Sequence, residues 1–204
     1  MKNDDEISIK VTLIGESSVG KTCIINKYCK NIFEAKVEST LGANYSQKKI
    51  EINGRQIRLD LWDTAGQEKY RAIGRHFYKE SYIVCLVYDI TNKESFEKIK
   101  EIWYPELVEY GEQYKIIGLI GNKVDLFLEE QVPEETAKKY AEEINAIHKR
   151  TSALKGTGIE DLFNELTIKY LSEFRGQSIY AKKKEENIVL DSKNAKDKKK
   201  SKFC

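Results

Sequence analysis

The chain of 204 residues is long enough for one domain of ordinary size with a tail, or for two small domains, and too short for a multidomain assembly. Hydrophobic residues make up 40% of it, so a core can form without disulfide or zinc staples. Its 35 basic and 33 acidic residues leave a net charge of +2, a total that argues neither for a nucleic-acid binder nor for an acidic protein. The distribution says more. Residues 176–204 hold nine lysines against four acidic residues, a net of +5, which leaves residues 1–175 at −3.

No run approaches the ~20 apolar residues that span a bilayer. The start, MKNDDEISIK, is acidic where a secretory leader is basic and then apolar, so the protein is expected to be made and kept in the cytosol. Four cysteines without CxxC or Cys/His spacing fit a reducing compartment. Cys23, Cys29 and Cys85 lie in apolar-periodic segments and are expected to be small buried hydrophobes.

In chain order, the β-branched run ISIKVTLI, from Ile7 to Ile14, ends at Gly15 and predicts a first strand. Helical spacing through Cys23, Ile24 and Lys27 predicts a helix over 20–30. Two strands, Asn44 to Ile52 and Gln56 to Trp62, flank Asn53-Gly54, a strong signal for a two-residue antiparallel hairpin. Apolar runs from Ile83 to Tyr88, Ile116 to Ile120 and, more weakly, Ala146 to Thr151 alternate with helical patterns over 93–110, 134–145 and 158–172. Such alternation predicts an α/β fold with right-handed crossovers, a mainly parallel sheet and helices on both faces. Ligands of such folds bind beyond the carboxyl ends of the strands. Gly15, Asp63, Asn122 and Ser152 fall after the first, third, fifth and sixth strands, which predicts one shared site. From Gly176 the periodicity stops, and KKKEEN and KDKKKSK are charged stretches expected to form a disordered tether.

The segment from Gly15 to Thr22, GESSVGKT, fits G-x-x-x-x-G-K-S/T between a strand and a helix. Gly15 and Gly20 let the backbone wrap closely, and the N–H groups of Ser17, Ser18, Val19 and the helix start through Cys23 face phosphate oxygens. Lys21 supplies a cation to the phosphates and Thr22 a hydroxyl to Mg²⁺. This motif alone serves ATPases, nucleotide kinases and GTPases alike. Asn122, Lys123 and Asp125, in GNKVDL, make the choice of base. A carboxylate accepts from both the N1–H and the exocyclic amine of guanine, whereas adenine has an acceptor at N1 and no amine at position 2. Asp125 is therefore expected to read guanine, Asn122 to reach the base edge, and the Lys123 stem to pack over a ring face.

GESSVGKT, the isolated Thr40, WDTAGQE (Trp62 to Glu68), NKVD (Asn122 to Asp125) and TSAL (Thr151 to Leu154) resemble, in order, the five elements of Ras-superfamily small GTPases. The resemblance covers about residues 7–174 and implies the P-loop NTPase three-layer sandwich. That fold has a mostly parallel six-stranded sheet with one antiparallel edge strand. It implies GTP and GDP as ligands, with Mg²⁺ held by Thr22, Thr40 and Asp63. Thr40 and Gly66 would sense the γ-phosphate and Gln67 would orient the attacking water, with Lys21 and Thr40 as its catalytic companions. Phe33 would pack on the guanine edge. Ser152, Ala153 and Leu154 would form the last base-contacting loop, Ala153 through its N–H, and Leu154 stands where Ras-like members commonly have Lys.

The Rab family is the most similar branch, through LGANY, Trp62 before DTAGQE, KYRAIGRHFYKES, LVYDIT and IGNKVDL. Tyr45, Trp62 and Phe77 have the spacing of the aromatic triad Rab proteins present to effectors. WYPEL resembles the Rho branch, but the eight residues between Asp125 and Glu134 leave no room for the helix inserted there in Rho proteins. Rho- or Ras-like signalling and a constitutive GTP-binding scaffold are the alternatives. Residues 1–6 read as an extension, 7–175 as the GTPase domain and 176–204 as a basic tail whose final Cys204 is a candidate for prenylation. Lipid and lysines together would hold the protein on the cytoplasmic face of an intracellular membrane in vesicle traffic, cycling with the cytosol. The resemblance implies an exchange factor, an activating protein, a dissociation inhibitor or escort protein and effectors as partners, with a monomeric chain and no nucleic acid.

Overall fold

Strand β1 (Ile7–Ile14) forms at the β-branched run and runs parallel to β3 (Arg55–Thr64) on one side and β4 (Ile83–Asp89) on the other. In this computed structural model the described residues are 7–35, 39–40, 42–66, 77, 79–111 and 116–174, and the chain divides into two units, Met1–Thr167 and Ile168–Cys204. In the first unit the sheet is completed by β2 (Ala43–Ile52), β5 (Ile116–Asn122) and β6 (Ile147–Arg150), in the order β2-β3-β1-β4-β5-β6. Only the β2 to β3 pairing is antiparallel. Its turn has φ of 52° at Asn53 and 72° at Gly54, the doubly positive pattern that matches the right-handed twist of hairpin strands. The fold expected from the sequence is the fold observed.

At β4 the sheet is covered on both faces, as that strand's unbroken apolar run requires. Alternate residues Val84, Leu86 and Tyr88 join one core, with Phe96, Ile99, Trp103, Leu107, Ala137 and Ala141. These come from α2 (Lys93–Lys98), a π-helical turn (Ile99–Trp103), α3 (Tyr104–Tyr110) and α4 (Glu134–Glu143). On the other face lie α1 (Lys21–Lys30) and α5, the helical residues 159–167, with Tyr28 of α1 stacked on Phe163 at 4.1 Å. In the second unit the described residues 168–174 are helical, with Tyr170 stacked on Phe174.

Two local outcomes differ from expectation. The pattern over 93–110 is not one α-helix, because Pro105 has no N–H to give the carbonyl four residues back and its ring crowds that carbonyl. The chain widens just before it, with the Tyr104 N–H bonded to the Ile99 carbonyl, five residues earlier. Of the three cysteines expected to be buried, Cys85 is, and burial pushes its thiol up to about 12. Cys23 and Cys29 are only half-buried, because helical periodicity does not say which face of α1 meets the sheet and which meets the cleft described below.

His148 on β6 lies 3.3 Å from the Tyr88 hydroxyl, and burial holds its pKa below the ordinary 6.5, opposed by Glu134. As pH falls through 6.5 the unfolded chain takes a proton at this site before the folded one does, so stability is complete above 6.5 and declines below it. Thermal melts at pH near 7.5 and about 5.5 are expected to show a smaller acid-side loss for His148→Gln than for the natural chain; equal losses would remove His148 from the pH response.

Candidate functional site

At the carboxyl ends of β1, β3 and β5 the structure opens a cleft of about 410 Å³. Of the residues expected at a site, Ser17, Ser18, Gly20, Lys21, Thr22, Cys23, Phe33, Thr40, Gly66, Asn122, Lys123, Asp125, Ala153 and Leu154 line it. Glu34, Ala35, Ser39, Thr64 and Leu126 line it too and were not singled out by sequence. Asp63 is within β3 rather than after it, and Asn122 is the last residue of β5. Gln67 and Cys204 lie outside the described residues.

One end is built for anions. Gly15 takes φ of 142°, and a Cβ there would stand 2.2 Å from the Val87 carbonyl oxygen, so the loop passes β4 where only glycine fits. Gly20, in the left-handed region at φ 99°, caps α1. The Lys21 ammonium donates to the carbonyls of Gly15 and Glu16, both at 2.8 Å. Lys21 is buried, and desolvation lowers its pKa to about 8 despite the opposing charges of Asp63 and Glu16.

Beside it, Thr22 Oγ1 donates to Asp63 Oδ2 at 2.7 Å and Thr40 Oγ1 to the same oxygen at 3.2 Å, with the two hydroxyls 3.2 Å apart. The second Asp63 oxygen, Oδ1, is buried with no hydrogen-bond partner. Burial raises the carboxyl's pKa, partly offset by Thr22, Lys21 and Thr40. A buried carboxylate with a vacant oxygen next to two hydroxyls is an all-oxygen donor set of the kind that suits Mg²⁺.

The other end is arranged for a flat polar ring. Ser152, fully buried, donates through Oγ to Asp125 Oδ1 at 2.5 Å and fixes that carboxylate at the cleft wall. Asn122 ties the walls together: its amide donates to the Val19 carbonyl at 2.9 Å, and its oxygen accepts from Thr151 Oγ1 at 3.1 Å and from the Ala153 N–H at 3.3 Å. Lys123, at φ 68°, is held by Asp89 at 2.6 Å. Asp89, in the string LVYDIT, is a site residue that sequence reasoning did not mark; its partner lies 34 positions away and no local signal gives the pairing. Phe33, Leu126 and Leu154 add apolar wall. On the outer face of the sheet, Tyr45, Trp62 and Phe77 form a row with ring centroids 5.3 Å and 5.0 Å apart. Tyr45 is 50% exposed, its hydroxyl held by Asp60 at 2.6 Å.

The buried Lys21 ammonium, the oxygen cluster of Thr22, Thr40 and Asp63, and the Asp125 carboxylate around one cleft are paralleled by similarity along the chain. The family model described as Ras family matches residues 10–172. The chain belongs to the Ras family. Within it, the GTPase is 44% identical over 159 residues to Ras-related protein Rab-21 of Bos taurus, covering 78% of this chain and 71% of that one. The Homo sapiens Rab-21 is 43% identical over the same coverage of this chain and 70% of its own. Ras-related protein Rab-30 of Homo sapiens is 35% identical over 86% of each. The chain is a Rab-like small GTPase of intracellular vesicle traffic; these matches do not favour the Rho-like, Ras-like or scaffold alternatives.

Proposed function

We propose that the cleft binds GTP and GDP with Mg²⁺, and that GTP hydrolysis, stimulated by an activating protein, switches a partner-binding surface on and off. The observation that carries this reading is the meeting of Lys21, the Thr22, Thr40 and Asp63 cluster, and the Asp125 and Ser152 pair around one cleft. Gly15 and Gly20 admit the phosphates against backbone N–H groups, Lys21 binds the β- and γ-phosphates, and Asp125 accepts both guanine donors. Thr22, Thr40 and Asp63 would hold Mg²⁺, which would neutralise charge on the phosphates. Phe33, Leu126 and Leu154 shield the base from water.

Thr40 and Gly66 would be the contacts that GTP makes and GDP lacks, so phosphate loss would release both flanking segments. Gln67 orients water in line with the γ-phosphorus. Residues 15–22 and 31–43 contain no Arg, so no arginine from these segments stabilises the transition state. Arg71 and Arg75 follow Gln67 in sequence; unaided turnover on the order of 10⁻⁴ to 10⁻² s⁻¹ is expected, and an outside activating protein is implied. Gln67→Leu is expected to slow single-turnover hydrolysis by about 10-fold or more while GTP affinity stays within about 2-fold. Unchanged turnover would remove Gln67 from the mechanism.

The row of Tyr45, Trp62 and Phe77 fits an effector-docking face, since aromatic anchors dominate such interfaces. No helix among the described residues is long and apolar enough to cross a membrane. Membrane attachment is assigned to a lipid on Cys204 with the lysines at 196, 198, 199, 200 and 202, each adding up to ~1 kcal/mol near an anionic surface. A tagged full-length chain is expected on an internal membrane, and its Cys204→Ser variant in the cytosol. The same distribution for both would end the anchoring proposal.

A further inference from the structure

The contact between Glu16 and Trp103 belongs to none of the roles assigned above. Trp103 is 2% exposed at the end of the π turn, and its indole N–H donates to Glu16 Oε1 at 2.9 Å across 87 residues of sequence. Glu16 is the second residue of the phosphate loop. Its carbonyl accepts from Lys21 Nζ at 2.8 Å. The peptide it forms with Ser17 lies against Gly66, where an added Cβ would stand 2.5 Å from both Glu16 C and Ser17 N. One residue therefore meets the core helix through its side chain, and the ammonium and Gly66 through its backbone.

The charge of Glu16 makes the contact consequential. A carboxylate in a loop that receives phosphates repels them unless it is turned away and paired. Ser17 and Ser18 line the cleft and Glu16 does not. The indole is the group that draws the carboxylate toward the core and away from the cleft, with a hydrogen bond to a charged acceptor, the stronger kind. Widening of the helix at Ile99–Trp103 sets where that indole points, and such turns recur at functional positions.

We propose that Trp103 is a positioning residue for nucleotide binding: its indole N–H holds the Glu16 carboxylate away from the phosphates. This rests on the cleft being a guanine-nucleotide site. Trp103→Phe keeps an aromatic ring in the core and removes the donor. Glu16→Asp keeps the charge and draws the carboxylate back by one carbon, about 1.5 Å, so it tests the same bond if the core variant does not fold. Release of a fluorescent GDP from the full chain with Mg²⁺ is expected to be about tenfold faster in each. Glu16→Gln keeps an acceptor for the indole and removes the charge, so it is the reference against which the double variant is read.

The rescue separates positioning from packing. Trp103→Phe combined with Glu16→Gln is expected to recover most of the lost retention, because no charge is left to face the phosphates. Faster release without recovery would show that the indole acts by packing alone and would overturn the proposal, as would unchanged release in Trp103→Phe accompanied only by a lower melting temperature. The natural chain serves as the control: if it does not bind guanine nucleotides, the site assignment fails and takes this proposal with it. Normal binding with unaffected variants removes only the role of Trp103.

Discussion

Asp125→Asn is expected to weaken GTP and GDP binding by on the order of 10⁴-fold and to admit xanthine nucleotides in their place. The Asp125 carboxylate offers two acceptors at the cleft wall, one of them oriented by the buried Ser152 hydroxyl at 2.5 Å. Guanine presents two donors to that pair, the N1–H and the 2-amine. An Asn amide keeps one acceptor and turns the other into a donor, so one guanine amine hydrogen meets another donor with no water to intervene. Xanthine carries a carbonyl oxygen at position 2 and an N1–H, the complement of an amide. Competition of GDP and xanthosine diphosphate for the purified variant measures the exchange. Retained GDP affinity without a gain for xanthosine diphosphate would show that Asp125 does not read the base.

Lys21→Met is expected to lower GTP affinity by about 10²- to 10⁴-fold, the loss of two charge-assisted bonds to phosphate oxygens. The fold buries this ammonium at a cost. It is 5% exposed, and burial lowers its pKa to about 8 even with Asp63 and Glu16 nearby. Two backbone carbonyls satisfy it without neutralising it. Phosphate would add opposite charge to that of Asp63 and Glu16, so binding would offset the cost of burying the ammonium. Met has a similar volume and no charge, so the loop keeps its packing and the loss is read as electrostatics. Calorimetric titration with GTP and Mg²⁺ measures it. Affinity within a few-fold of the natural chain would contradict the placing of phosphates at Lys21.

The sequence revealed elements whose signals are local. Asn53-Gly54 announces its own turn because both positions need positive φ. GESSVGKT announces a close backbone passage, and the 2.2 Å approach that a Cβ on Gly15 would make is the reason. The strands were legible because burial on both faces demands unbroken apolar runs, as in β4. What escaped is decided by partners far away in sequence. Glu16 meets Trp103 across 87 residues and Lys123 meets Asp89 across 34, pairings that only the tertiary fold brings together. Leu126 enters the cleft on a short 3-10 turn, Val124–Glu129, that has no apolar periodicity to read. Pro105 was a visible signal for the break in the 93–110 helix, but it does not disclose that the chain would widen upstream rather than stop.

Asn122 shows how a correct motif can conceal a division of labour. The string NKVD suggests three residues turned toward a base. In the structure the Asn122 side chain joins Val19, Thr151 and Ala153, so it braces the phosphate loop against the last loop of the cleft. Asp125 is left as the carboxylate facing the cleft, steadied from behind by Ser152. Cleft assembly thus falls to Asn122, while base reading is the role proposed for its neighbour Asp125.

The most direct test is equilibrium binding of GDP, GTP, ADP and ATP to nucleotide-stripped full-length protein, each with Mg²⁺ and with a chelator. Tight Mg²⁺-dependent binding of both guanine nucleotides is expected, with the adenine nucleotides weaker by about 10³-fold or more. Equal binding of ATP and GTP, or affinity indifferent to Mg²⁺, would contradict the assignment of Asp125 to the base and of Thr22, Thr40 and Asp63 to the metal.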